Sequence, residues 1–434
     1  MSHYKPYPAY KDSGVEWLGQ VPEGWKVKKL KWLASLQSGD FITSESIKDE
    51  GKYPVFGGNG LRGFAEGFTH EGRYALIGRQ GALCGNINYS AGQFWASEHA
   101  VVVSPSERVN TTWLGELLRS MNLNQYSIAS AQPGLAVERV TDLYVPVPSL
   151  AEQEIISELL DRETTRIDGL VSRKTRFIEL LREKRRALIT HAVTKGLSGL
   201  RHSRAGGNPE GEDTVKMKDS GVEWLGEVPE HWGVCKLSFR YSVELGKMLD
   251  EKRITGESLV PYLRNQDVQW NSINIEGLPE MDIHLGEIER YTIKRGDLLV
   301  CEGGDVGRAA IWRGSNIQIG YQKALHRLRA RSDKSDSAEF FYFSLLAAKE
   351  RGVFDESDAK ATIAHLPAEK FRQYRFAFPP LSEQIEITVY IQANKLRIDT
   401  LISKTERSIE LLKERRSALI TAAVTGQIDL RETI

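Results

Sequence analysis

The chain has 434 residues, which at about 150 residues per domain points to roughly three domains. With 41% hydrophobic and 27% charged residues and a mean hydropathy of -0.37, it is neither collagen-like, mucin-like nor wholly disordered. Lysine plus arginine and aspartate plus glutamate both total 58, a formal charge of zero; a protein that grips DNA alone shows a basic excess, so a nucleic-acid role must rest on local charge or on partner subunits.

Taken in chain order, the start, Met1-Ser2-His3-Tyr4-Lys5-Pro6, lacks the apolar core of a signal peptide, and no stretch approaches the roughly 18 apolar residues that span a bilayer. A cytoplasmic protein is expected. The three cysteines, Cys84, Cys235 and Cys301, form no CxxC pair, so neither a disulfide framework nor a zinc knuckle is indicated. Next comes a block that recurs. Lys11 to Leu30 and Lys218 to Leu237 agree at 16 of 20 positions, at an offset of 207.

Two divergent inserts follow these blocks, from about Trp32 to Pro148 and from about Phe239 to Pro379. Short apolar runs punctuated by glycine, such as Tyr74 to Gly78 and Asp297 to Cys301, predict strands and turns. Gly81 and Gly85 resemble Gly304 and Gly307, and the polar loop before Leu135 aligns without a gap with the one before Leu366. One fold with two different surfaces is the expectation.

The inserts end in a second repeat. Leu150 to Thr194 matches Leu381 to Thr425 at 23 of 45 positions, at an offset of 231. Leu160, Ile167, Leu170, Phe177, Leu181 and Leu188 in the first copy, and Ile391, Ile398, Leu401, Leu412 and Leu419 in the second, have the spacing of an apolar seam on a long helix. Ser149 with Glu152 predicts a capping box, and Pro379-Pro380 marks the second start. Helices of about 44 residues, roughly 66 Å each, want partners of equal length, and each is the other's. Between the halves, His202 to Asp213 reads as a flexible linker.

Catalytic signatures are missing: the sequence has no phosphate loop, nucleophile elbow or H-E-x-x-H pair. The glycine loops at Gly57 to Gly60 and Gly303 to Gly307 could cradle phosphate, but read more simply as tight turns. His99 and His326 sit at similar places in the two inserts, which favours a shared structural role over a metal site. Cys84 and Cys301 read as small buried fillers. Trp17, Trp25, Trp224 and Trp232 lie in the repeated blocks and are expected in the interior rather than under bases. Arg182, Lys184, Arg185, Arg186, Lys413, Arg415 and Arg416, interleaved with glutamates, read first as a solvated helix face and second as contacts to DNA or a partner.

The doubled frame resembles one family, the specificity subunits of type I DNA restriction-modification systems. The residues that carry the resemblance are Pro148 to Gln153 and Pro379 to Gln384, Arg166-Ile167-Asp168 and Arg397-Ile398-Asp399, Ala187 to Thr190 and Ala418 to Thr421, the W-L-G-x-V-P-x-x-W openings at Trp17 and Trp224, and Gly296 to Leu299. It covers nearly the whole chain. The fold class implied is α+β: two β-rich target recognition domains separated by two long antiparallel helices, a coiled-coil spacer, in a pseudo-twofold internal repeat. In residue numbers this predicts a first recognition domain over 1–148 with its repeat block at 11–30, a first spacer helix over 149–195 and a linker over 196–217. A second recognition domain follows over 218–379 with its block at 218–237, then a second spacer helix over 380–426 and a tail over 427–434.

What the resemblance implies is a non-catalytic DNA-binding subunit that reads a bipartite double-stranded target, one domain per half-site. Two methylation subunits, using S-adenosylmethionine, and two restriction/translocase subunits, using ATP and Mg2+, would dock on it; the chain itself would bind no cofactor and no metal. Two readers held at fixed separation accept only half-sites of matching spacing and rotational phase, because DNA turns once in about 10.5 base pairs. Base discrimination needs paired donors and acceptors, arginine or lysine to guanine and asparagine or glutamine to adenine. That chemistry selects Asn59, Arg62, Arg79, Gln80 and Gln132 in the first insert, and Arg264, Asn265, Arg308, Gln322, Lys323 and Lys360 in the second. The alternatives are a protein-interaction scaffold of two β-rich modules on a coiled coil and, further off, a nuclease with one active site per insert.

Overall fold

The computed structural model describes residues 4–81, 83–127, 134–198, 200, 215–249, 255–314, 317–355 and 365–431. Gln132, Lys360 and the His202 to Asp213 linker lie outside them. The chain divides into two compact units, residues 1–176 with 405–434 and residues 177–404. These cut across the boundaries expected from sequence: each long helix contributes one stretch to each unit.

In the first unit, strands β1 (Lys26–Lys29), β2 (Ala34–Ser38), β3 (Tyr53–Gly57), β4 (Tyr74–Gly78), β5 (Ile87–Ser90), β6 (Gln93–Ala96) and β7 (Ala100–Pro105) precede helix α1 (Thr111–Ser120), strand β8 (Tyr144–Val147) and the long helix α2 (Leu150–Lys195). Antiparallel pairing gives a sheet of order β2-β7-β4-β5, while β3 pairs parallel with β6 and β1 pairs antiparallel with β8. The apolar runs in β4 and β7 are continuous because both faces are covered. Ala75, Ile77, Val101 and Val103 pack toward Trp113, Leu114, Leu117 and Leu118 of α1, whereas Leu76 and Val102 pack against Phe94 and Ala96 of β6.

The second unit has the same plan. Its strands are β9 (Gly233–Lys236), β10 (Tyr241–Leu245), β11 (Leu259–Leu263), β12 (Leu298–Cys301), β13 (Ala309–Ile311), β14 (Gly320–Tyr321) and β15 (Leu325–Ala330), followed by helix α3 (Ala338–Glu350), strand β16 (Arg375–Phe378) and the long helix α4 (Leu381–Val424). The sheet order is β10-β15-β12-β13, β11 pairs parallel with β14, and β9 pairs with β16. Leu298, Val300 and Leu328 join Phe340 and Phe341 in one core, and Leu299, Cys301 and Ala310 join Leu263 and Tyr321 in another.

Both long helices end on a glycine in the left-handed region, Gly196 at φ +75° and Gly426 at φ +77°. Gly426 donates to Ala423 O and Gln427 to Ala422 O, the paired bonds that satisfy the last carbonyls of a helix. The tail then enters the first unit's core through Ile428 and Leu430, and Asp429 N–H donates to Lys5 O at 2.7 Å.

Within each unit the two helix stretches run antiparallel. In the first, Ile156, Leu159 and Leu160 share a core with Leu419 to Val424, and farther along Arg416 Nε lies 3.1 Å from Asp168 Oδ1. In the second, Ile189 to Val193 meet Ile387 and Ile391, and Arg185 Nη1 lies 2.6 Å from Asp399 Oδ1. Arg185 with Arg416, and Asp168 with Asp399, are repeat equivalents at the offset of 231, so one contact is made twice.

The seam departs from the sequence reading at two positions. Phe177 is 45% exposed and Leu401 46% exposed, while their neighbours Ile178 and Ile402 are 6% and 8% exposed. A strict heptad drifts by about 20° per repeat on a straight helix of 3.6 residues per turn. The steps from Ile167 to Ile178 and from Ile391 to Ile402 are accordingly eleven residues, three near-whole turns. Leu160, Ile167, Leu181, Ile391, Ile398 and Leu419 are buried, and Leu170, Leu188 and Leu412 half-buried.

Candidate nucleic-acid interface

At one end of the first unit's sheet, the turn after β3, the turn after β4 and the start of β7 converge on a cleft of about 550 Å³. Gly58, Asn59, Arg62, Gln80, Gly81 and His99 are among its lining residues. The glycines permit the convergence. A Cβ on Gly78 would lie 2.1 Å from Gly58 O, and one on Gly57 would lie 2.4 Å from the Arg62 side chain. Asn59, Arg62 and Gln80 are exposed, so three of the sequence-selected side chains share one rim. Arg79 stands beside them with Nη1 donating to Ser38 Oγ at 3.1 Å. Five donors on a guanidinium leave most of it uncommitted.

In the second unit Arg264, Asn265 and Arg308 are engaged in side-chain bonds within the protein. Arg264 makes a two-pronged contact with Asp267, Nε to Oδ2 and Nη2 to Oδ1, both at 2.9 Å. Its guanidinium and backbone N–H, the latter donating to Oδ2 at 2.8 Å, anchor the turn after β11. Burial raises the Asp267 carboxyl, but the bonds from Arg264 outweigh it and hold the acid below its ordinary range. Asn265 Nδ2 donates to Gly303 O at 3.0 Å, and its Oδ1 accepts from Arg308 Nη2 at 2.8 Å. Both functions of the Asn265 amide therefore hold neighbouring turns together. Gln322 is half-buried and Lys323 exposed.

Backbone hydrogen bonds align the two sites residue by residue. Arg79 N–H donates to His99 O and Glu302 N–H to Ala324 O, at 2.9 and 3.0 Å; Leu135 N–H donates to Arg79 O and Leu366 N–H to Glu302 O, at 2.9 and 2.8 Å. Arg79 thus corresponds to Glu302 and Leu135 to Leu366; most of the loop before each leucine lies outside the described residues. His99 corresponds to Ala324, not to His326, which lies two residues further along. His326 is buried inside the sheet with Nε2 donating to Leu366 O at 2.8 Å, and burial pushes its pKa down to about 4. The two histidines therefore do not share a position: His326 pairs with Val300 as Val101 pairs with Ile77 in the first unit. Glu302, a carboxylate, stands where the first unit has the guanidinium of Arg79.

Trp25 and Trp232 are 2% and 1% exposed, and Trp17 and Trp224 pack half-buried against the two main cores. Cys84 and Cys301 are buried free thiols. Among the described residues no group of three or more histidine, cysteine or acidic side chains is placed to hold a metal, and no helix is long and apolar enough to cross a membrane.

A family model described as the type I restriction modification DNA specificity domain matches residues 22–175 and 229–411. The chain belongs to this family. It is 44% identical over 165 residues to the EcoprrI type I restriction enzyme specificity subunit of Escherichia coli, a match that covers 37% of this chain and spans about two fifths (41%) of that protein. The MjaVIII specificity subunit of Methanocaldococcus jannaschii is 21% identical with 95% of both chains covered. Among solved structures, the HsdS subunit from Thermoanaerobacter tengcongensis matches with a TM-score of 0.53 at 14% identity, covering 94% of this chain and 98% of that one. A chain from work on complex assembly and conformational transition of the type I R-M system matches with a TM-score of 0.68 at 13% identity, covering 94% and 99%. At these identities the structural likeness concerns the fold: two repeated recognition domains with long helices.

Proposed function

We propose that this chain is the DNA-binding specificity subunit of a type I restriction-modification complex, and that each unit reads one half of a split double-stranded target. It scaffolds two methylation subunits, which bring S-adenosylmethionine and methylate adenine, and two ATP-using restriction/translocase subunits; the chain carries no catalytic centre or cofactor of its own. The observation that carries the reading is a shared backbone frame with different side chains at its glycine-turn end. Readers of different half-sites require that combination, because base edges are told apart by donors and acceptors while the frame only positions them. Zero net charge is compatible with DNA binding when the methylation subunits share the phosphate contacts. The gap between half-sites follows, in this reading, the length of the two helices.

The test exchanges Trp32 to Pro148 for the insert of another family member and selects targets from random duplexes with the methylation subunits present. One half-site should change while the other stays. A change in both half-sites, or no sequence selection by either protein, would refute the proposal.

A further inference from the structure

The two reading ends are not merely different; at corresponding positions their charges are reversed. Arg79 in the first unit corresponds to Glu302 in the second through two pairs of backbone hydrogen bonds. Asp40 N–H donates to Ala96 O and Lys247 N–H to Tyr321 O, so an acid of the first unit stands where the second has a base. Ser97 N–H donates to Phe56 O and Gln322 N–H to Leu263 O, which makes Glu98 the counterpart of Lys323 one residue on. Three positions on one frame thus exchange sign.

Arg79 and Glu302 are both half-buried. Among the described residues the Arg79 guanidinium makes one hydrogen bond, from Nη1 to Ser38. Glu302 has its Oε1 3.3 Å from His365 Nε2, with its side chain 12% exposed, and its Oε2 has no hydrogen-bond partner among the described residues. Burial raises the Glu302 carboxyl, and the positive charges of His365 and Lys323 oppose that rise.

Guanine presents two acceptors in the major groove, O6 and N7, whereas cytosine presents one donor, the N4 amino group. A guanidinium answers the first and a carboxylate the second. We infer that position 79/302 selects the base: Arg79 takes guanine in the half-site of the first unit and Glu302 takes cytosine in the half-site of the second. The inference rests on the proposed DNA reading, and goes further by assigning one base class to each unit.

Base analogues test it with the protein unaltered. The intact chain, with its methylation subunits, is bound to its selected target carrying one replacement at a time; the insert exchange above assigns each half-site to its unit. In the first half-site, 7-deazaguanine, which lacks N7, should weaken binding roughly 5- to 150-fold at one position. In the second, removing the N4 amino group with 2-pyrimidinone at one cytosine should cost a similar factor, and 7-deazaguanine at the paired guanine should cost nothing. Glu302→Gln should relax selection at that one base pair and leave the first half-site as it was. A second half-site indifferent to loss of the amino group, a half-site built of A·T pairs alone, or a Glu302→Gln protein that folds and keeps the wild-type preference would overturn the inference while leaving split-target reading intact. Absence of selection by the unaltered complex would overturn both.

Discussion

The Oε1 atom of Gln384 accepts a hydrogen bond from the backbone N–H of Ser337 at 2.8 Å. Gln153 makes the same bond to Asn110, also at 2.8 Å. Ser337 and Asn110 are the residues that cap α3 and α1. Each glutamine also donates to the carbonyl at the start of its own long helix, Pro379 O at 2.8 Å and Pro148 O at 3.1 Å. The P-x-L-x-E-Q motif is therefore a bracket between a long helix and the helix of the domain it serves.

Both glutamines are buried, so truncation strands several polar groups away from water. Gln384→Ala should destabilise the second unit by at least about 1–3 kcal/mol, the cost of one unsatisfied buried group. Urea unfolding followed by tryptophan fluorescence measures it; an unchanged midpoint would show that the bracket does not hold the unit together.

The Arg185–Asp399 pair is two-thirds buried on each side. Burial raises the Asp399 carboxyl, but hydrogen bonds from Lys395 and Arg185 outweigh that effect and hold it below the usual carboxylate range. A depressed acid adds stability that is fully present above its unfolded value near 3.9 and disappears as pH falls through the lower folded value. Asp399→Asn should therefore cost about 1 kcal/mol or less at neutral pH, given the partial exposure, and should flatten the acid limb of the stability curve. Thermal melts between pH 2 and 7 check both, and an Asn variant with the wild-type acid limb would assign that limb to other groups.

Thiol chemistry reports on the cores. Burial pushes the Cys84 and Cys301 thiols up from their ordinary value, and the side chains are 3% and 0% exposed. Reaction needs the thiolate and access to it. In native protein only Cys235, half-buried, should react with a disulfide reagent, slowly, and all three should react in denaturant. Rapid titration of three thiols in the folded state would contradict the packing described.

The two units predict different consequences for similar substitutions. Arg62 is exposed on the first cleft, so Arg62→Ala should lower DNA affinity with little effect on folding. Arg308 ties down Asn265 through both its carbonyl and its amide oxygen, at 3.0 and 2.8 Å. Arg308→Ala should loosen the second unit first, by about 1–3 kcal/mol for bonds to a charged donor. Parallel melting and binding measurements separate the two; an Arg62→Ala variant with full affinity would remove Arg62 from the interface.

Much of the fold was legible because repetition gives a sequence an internal control. Glycine-bounded apolar runs became β4 and β12, and the 231-residue offset became a twice-made ion pair. The seam was legible to within one residue: helical drift exchanged Phe177 for Ile178 and Leu401 for Ile402, a distinction that spacing of leucines alone does not carry. The site was less legible for a different reason. Asn265 and Arg308 have the right chemistry for reading bases but spend it on each other, and only three-dimensional proximity reveals that. Glu302 is a lone carboxylate in sequence, and its correspondence to Arg79 emerges only from the matching backbone hydrogen bonds.

The central claim is that one chain reads two separated half-sites. Selection from random duplexes by the chain assembled with its methylation subunits, followed by sequencing of what is retained, tests it most directly. The account predicts two short specified blocks separated by a fixed run of unspecified base pairs. A single contiguous block, a variable gap or no enrichment would contradict it.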